Sequence, residues 1–74
     1  MSKKKHEPYI NFKLALAGKG LTYKDVGVVI DCTESTVMLK INGDSDFLLT
    51  EADAICKAFG FSIAIFLPKM LLNR

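Results

Sequence analysis

The stretch LTYKDVGVVIDCTESTVMLKING, Leu21 to Gly43, constrains this chain more than any other: two short helical patterns meet at a tight polar break and end in the turn signal Asn-Gly. Thr22 is a candidate N-cap, because its hydroxyl can accept from a free first-turn amide while Asp25 reaches back to complete an approximate capping box. A helix is therefore expected from Tyr23, with Val26, Val29 and Ile30 forming an apolar stripe at three- and four-residue spacing. Asp31 and Cys32 interrupt it. Thr33 is a second N-cap candidate for a helix over about Thr33 to Asn42, with Glu34 at the favourable end of its dipole and Val37 and Ile41 facing inward. Helices this short are unstable alone, so flanking segments must share a core with them.

The flanks supply helical patterns. Pro8 suits the first turn of a helix over about Tyr9 to Lys19, in which Phe12, Ala15 and Leu16 share a face and Leu14 lies to the side. Gly18 and Gly20 bracket its end. After the polar loop Asn42 to Asp46, Thr50 and Asp53 form a capping pattern with Leu49 as a staple, and Ala52, Ile55, Cys56 and Phe59 make an inward face. Gly60 ends that helix; Ser62 caps a short fifth one, Ile63 to Leu67, which Pro68 stops. With 74 residues, half of them hydrophobic, the expectation is one compact all-α, five-helix domain over residues 9 to 67. A basic arm would precede it over residues 1 to 8, and an apolar tail follow it over residues 68 to 74.

Charge is unevenly placed. Ten basic and eight acidic side chains give +2, but Lys3, Lys4 and Lys5 are three of the ten, so residues 6 to 74 sum to −1. The domain itself is not basic, which leaves specific phosphate contacts to a few well-placed lysines. The lysine start reads either as a frayed solubilising terminus or as an arm that tracks a DNA backbone or minor groove. It leads into no signal-peptide core, and no apolar run approaches the roughly 18 residues of a membrane span, so a soluble cytoplasmic protein is expected.

Cys32 and Cys56 form no Cys-x-x-Cys pair, and the single histidine, His6, rules out a His/Cys cluster; both cysteines read as reduced small hydrophobes. Asp44 and Asp46 lack the further oxygen ligands of a calcium loop. With no Gly-rich phosphate loop, zinc spacing or Ser/Cys-His arrangement either, no metal, cofactor, small-molecule substrate or enzymatic reaction is expected.

Leu21-Thr22 opening one helix, the small Gly27 at the crossing, Thr33 opening the next, Ser35-Thr36-Val37, and the ending Lys40-Ile41-Asn42-Gly43 together resemble the helix-turn-helix of the lambda Cro and phage repressor (XRE) family. The SDF that follows and its apolar helix look like small prophage members, and the resemblance covers roughly residues 10 to 67. Two positions depart from the pattern: Gly27, where alanine is usual, and Asp31, where the turn usually has glycine.

The resemblance implies a lambda-repressor-like DNA-binding domain with helix 33–42 in the major groove. Base edges would meet Glu34, Ser35, Thr36, Met38 and Leu39; phosphates would meet Thr22, Tyr23, Lys24, Thr33, Lys40, Asn42 and Gly43, with Lys3, Lys4 and Lys5 as the DNA arm. No Arg, Asn or Gln lies in Thr33 to Ile41, so the strongest bidentate base readers are absent, and Met38 and Leu39 equally suit a protein interface or extra core. Ile63, Phe66, Leu67, Met70, Leu71 and Leu72 exceed what so small a core needs, which suggests a homodimer interface as readily as packing on the domain. The leading expectation is a Cro- or repressor-like transcription regulator of phage or bacterial type, binding double-stranded operator DNA as a dimer. The alternative is a protein-binding module, such as an antirepressor or inhibitor, on the same fold.

Overall fold

The computed structural model describes residues 5–66, which form four α-helices and a closing 3-10 turn, with no strand among the described residues. They are α1 (Ile10–Lys19), α2 (Tyr23–Ile30), α3 (Glu34–Asn42), α4 (Leu49–Phe59) and the 3-10 turn Ile63–Phe66. The protein is therefore all-helical and compact, with a Cα radius of gyration of 11.5 Å. The expected fifth α-helix is a four-residue 3-10 turn, started by Ser62 Oγ accepting from the Ala64 amide at 3.1 Å. Four residues with a proline soon after are too few to establish the i to i−4 ladder of an α-helix.

Local chemistry sets most boundaries. Thr22 Oγ1 accepts from the Asp25 amide at 3.2 Å and Asp25 Oδ2 accepts from the Thr22 amide at 2.8 Å, a reciprocal cap that starts α2. Thr33 Oγ1 accepts from the Thr36 amide at 3.2 Å and starts α3. Between them Asp31 takes a left-handed conformation, φ 59° and ψ 48°, the one non-glycine residue with positive φ among those described. Aspartate tolerates this better than most residues, so the elbow survives without glycine.

Gly27 explains the elbow's tightness. Its carbonyl accepts from the amides of both Asp31 and Cys32. The chain then turns back so closely that a Cβ at position 27 would overlap the Cys32 carbonyl oxygen, with the Val37 side chain just behind. Here the close approach is of turn backbone to helix as much as of helix to helix.

The start of α4 differs from expectation. Thr50 does not cap; the helix begins at Leu49, and Glu51 Oε1 accepts from the Leu48 amide at 2.9 Å. Asp53 instead pairs with Lys57 at 3.0 Å on the exposed face. Leu48 and Leu49 are both largely exposed, so no staple forms. Glu51 prevails because Lys40 of α3 also holds it, a partner that the local sequence pattern does not contain.

In the core, α2 packs on α3 and α4, while the 3-10 turn packs on α1 and α4. Phe12, Leu16, Val26, Val37, Ile41, Ala52, Ile55 and Phe66 are all but fully enclosed. Phe66 joins Tyr9, Phe12 and Phe47 in an aromatic cluster, its ring centroid 5.2, 4.9 and 5.6 Å from theirs. Burying one such phenylalanine contributes about 3 kcal/mol. The cysteines are free thiols; burial, then the charge of Asp53, pushes the Cys56 thiol up from its ordinary range. No helix among the described residues is long and apolar enough to cross a membrane.

Candidate nucleic-acid interface

The phase of α3 decides which side chains reach outward. Val37 and Ile41, four apart, are completely buried, which turns Glu34, Ser35, Met38 and Leu39 to the surface and leaves Thr36 half-buried. All five expected base contacts lie along the accessible part of this helix. Thr36 and Thr33 are linked, the Thr33 hydroxyl donating to Thr36 Oγ1 at 3.0 Å.

At the elbow, Lys24, Gly27, Val28, Asp31, Cys32, Thr33 and Glu34 line a surface recess of about 430 Å³. The starts of α2 and α3 thus converge, bringing the exposed ammonium of Lys24 to the same recess as Thr33. Thr22 is exposed beside them, but its amide and hydroxyl both donate to Asp25. Tyr23 is half-buried against the core. Asp31, Asp25 and Glu34 are exposed here against the one ammonium of Lys24, so the side chains at the elbow are more negative than positive.

The other end of α3 departs from the expected phosphate contacts. Lys40, with its side chain only 14 % exposed, donates to Glu51 Oε1 at 3.1 Å and to the Asp46 carbonyl at 3.0 Å, and lies 5.9 Å from the centre of the Phe47 ring. Its charge is neutralised inside the fold instead of being free for a phosphate. Gly43 is buried in left-handed geometry, φ 104°, and its amide donates to the Leu39 carbonyl. The amides of Asp44 and Ser45 converge on the same oxygen at 3.0 and 3.2 Å. These donors terminate α3, so Gly43 offers none to DNA. Asn42 is half-buried, its Oδ1 3.4 Å from Lys13 Nζ.

The basic start also differs from a free arm where it is described. The Lys5 amide donates to the Gly43 carbonyl at 2.6 Å, and His6 is buried. Lys3 and Lys4 lie outside the described residues. Of the expected dimer residues, Ile63 is half exposed, whereas Phe66 is wholly inside the core and has no surface to offer a second copy. Leu67, Met70, Leu71 and Leu72 lie outside the described residues.

Two features have no counterpart in the sequence expectations. Val28 is 79 % exposed at the elbow; its position out of phase with the Val26, Val29, Ile30 stripe is the signal that marks it. The other is a polar junction of His6, Tyr9 and Asp46. The Tyr9 hydroxyl donates to Asp46 Oδ1 at 2.7 Å, and its phenol is pushed well above the ordinary tyrosine range by burial, then by the hydrogen bond to Asp46 and its charge. No local motif signals contacts between partners 37 residues apart.

Compared with known proteins, the chain matches no family model, no curated protein and no solved structure. The class on which fold and site agree is a compact all-helical protein in which two consecutive short helices meet at a left-handed elbow.

Proposed function

We propose that this chain is a sequence-specific DNA-binding regulator of the Cro or phage-repressor helix-turn-helix kind, cytoplasmic and acting as a homodimer on double-stranded operator DNA. One observation carries the proposal: α3 buries Val37 and Ile41 completely while its first turns hold Glu34, Ser35, Met38 and Leu39 outward, next to an exposed Lys24 at the start of α2. A helix held by one face and bare on the other suits a major groove, where its first residues meet base edges. In that role Glu34 accepts from a cytosine amine, Ser35 bonds to a base edge, and Met38 and Leu39 touch thymine methyls. Lys24 supplies the phosphate contact that Lys40 does not. Bound to a promoter, the dimer acts as a repressor by excluding polymerase.

The test is fluorescence anisotropy of the purified protein against DNA from upstream of its own gene and an unrelated duplex, at low and moderate salt. Tight, salt-sensitive binding that prefers the upstream DNA supports the proposal; no binding to either duplex at low salt refutes it. Exposed Val28, Met38 and Leu39, with acidic Asp31 and Glu34 nearby, favour one alternative, a protein-binding inhibitor or antirepressor on the same helices. Substituting Lys24 separates them, because a DNA binder loses affinity and salt slope while a protein binder keeps its affinity.

A further inference from the structure

His6 is the buried residue of charged type among those described, 3 % exposed. Its ring stacks on Tyr9 with centroids 4.2 Å apart. Nδ1 lies 2.6 Å from the Glu7 carbonyl oxygen and Nε2 lies 2.9 Å from the Ser45 carbonyl oxygen. A carbonyl only accepts, and a neutral imidazole has one N–H, so both bonds form together only when each ring nitrogen carries a proton. Asp46 Oδ1 stands 3.3 Å from Nε2 and also accepts from the Tyr9 hydroxyl and, at 2.7 Å, from the Phe47 amide. The negative end of the α3 dipole, at Asn42 and Gly43, adjoins the same loop.

We propose that His6 is a proton-operated clasp: as imidazolium it fastens the segment from Lys5 to Tyr9 onto the loop after α3, and by giving a proton to solvent it releases that segment. The surrounding charges are those of Asp44 and Asp46 in the loop, Lys40 of α3, Glu51 of α4, Lys13 of α1, and Lys5 and Glu7 beside the ring. Lys40 and Glu51 neutralise each other and Lys13 reaches Asn42, while Asp46 is the carboxylate that stands against the ring, 3.3 Å from Nε2. Since the Lys5 amide is bonded to Gly43, closing the clasp also ties the end of the Lys3 to Lys5 cluster to the C-terminus of α3.

The test is nitrogen-15 NMR of the full chain from pH 5 to 9, following both His6 ring nitrogens together with hydrogen-exchange protection at the Lys5 amide and the shifts of Gly43 and Ser45. The expected result is a single step: as the ring loses its second proton, Lys5 protection collapses and Gly43 and Ser45 shift, and His6→Gln abolishes the step. Lys5 protection that stays constant while the ring titrates overturns the clasp, as does a step that persists in His6→Gln. If His6→Gln does not fold, Asp46→Asn decides: removing the charge moves the step to lower pH, and an unmoved step overturns the proposal.

Discussion

The two ends of α3 differ in what their polar groups do. At the first end, Thr33 and Glu34 line an open elbow with Ser35 exposed beyond them, and the Thr33 hydroxyl and its partner Thr36 are committed to the cap. At the last end, Leu39 holds the Gly43 amide within the helix, while Glu51, Tyr9 and Lys5 engage Lys40, Asp46 and the Gly43 carbonyl from other segments of the chain. One end offers chemistry to a partner; the other uses the same kinds of group to hold the helix in place. A helix that must present a precise face needs both, since a recognition surface is only as well defined as the anchor behind it.

The strongest way to break the anchored end is Phe66→Ala. Phe66 packs on Tyr9, Phe12 and Phe47, so its removal is expected to cost about 3–5 kcal/mol. That is comparable with the whole stability of a small domain, and circular dichroism should report an unfolded chain. A folded monomer would instead return Phe66 to the interface role that its burial argues against.

Gly27→Ala attacks the open end. A methyl group there meets the Cys32 carbonyl, and the gain of about 1 kcal/mol in helix propensity does not offset the clash. A net loss of about 2 kcal/mol is expected from urea unfolding. A neutral or stabilising result would mean that the elbow relaxes freely and is not a rigid feature.

Lys40→Ala and Lys24→Ala place the two ends in direct opposition. Losing Lys40 leaves Glu51 without its charged partner and is expected to lower stability by about 2 kcal/mol, with no change in the salt slope of any DNA binding. Lys24 is exposed, so its loss should leave stability within about 0.5 kcal/mol. The logarithmic salt slope should fall by about 0.9 in the same titration, the value of one phosphate contact. The opposite pattern would place the phosphate contact at the anchored end.

Tyr9→Phe tests the polar junction more gently. The variant loses the hydrogen bond to Asp46, at about 1 kcal/mol in thermal unfolding near neutral pH. Because the folded state holds the phenolic proton more tightly than the unfolded chain, that contribution is complete below the ordinary tyrosine range and declines as pH rises above about 10. The wild type should therefore lose its advantage over Tyr9→Phe in alkaline solution. A constant difference between the two would remove the linkage. Smallest of all should be the effect of Ser35→Ala on stability, within about 0.5 kcal/mol by urea unfolding, since its side chain is exposed. A larger loss would mean that the open end, too, is structural.

What the sequence by itself determined is local. Thr22 with Asp25, Thr33 with Thr36, and the left-handed Asp31 all lie within a few residues of the groups they satisfy, so α2, the elbow and α3 follow from short-range hydrogen bonding and helical phase. The same phase fixed Val37 and Ile41 inward and hence Glu34, Ser35, Met38 and Leu39 outward. Only the tertiary structure decided the start of α4, the sequestration of Lys40 and Gly43, the burial of His6 and the enclosure of Phe66. Each depends on a partner from a distant segment, as Ser45 lies 39 residues from His6. Capping and amphipathic spacing act over one turn of chain, but desolvation and charge pairing depend on which segments the fold brings together.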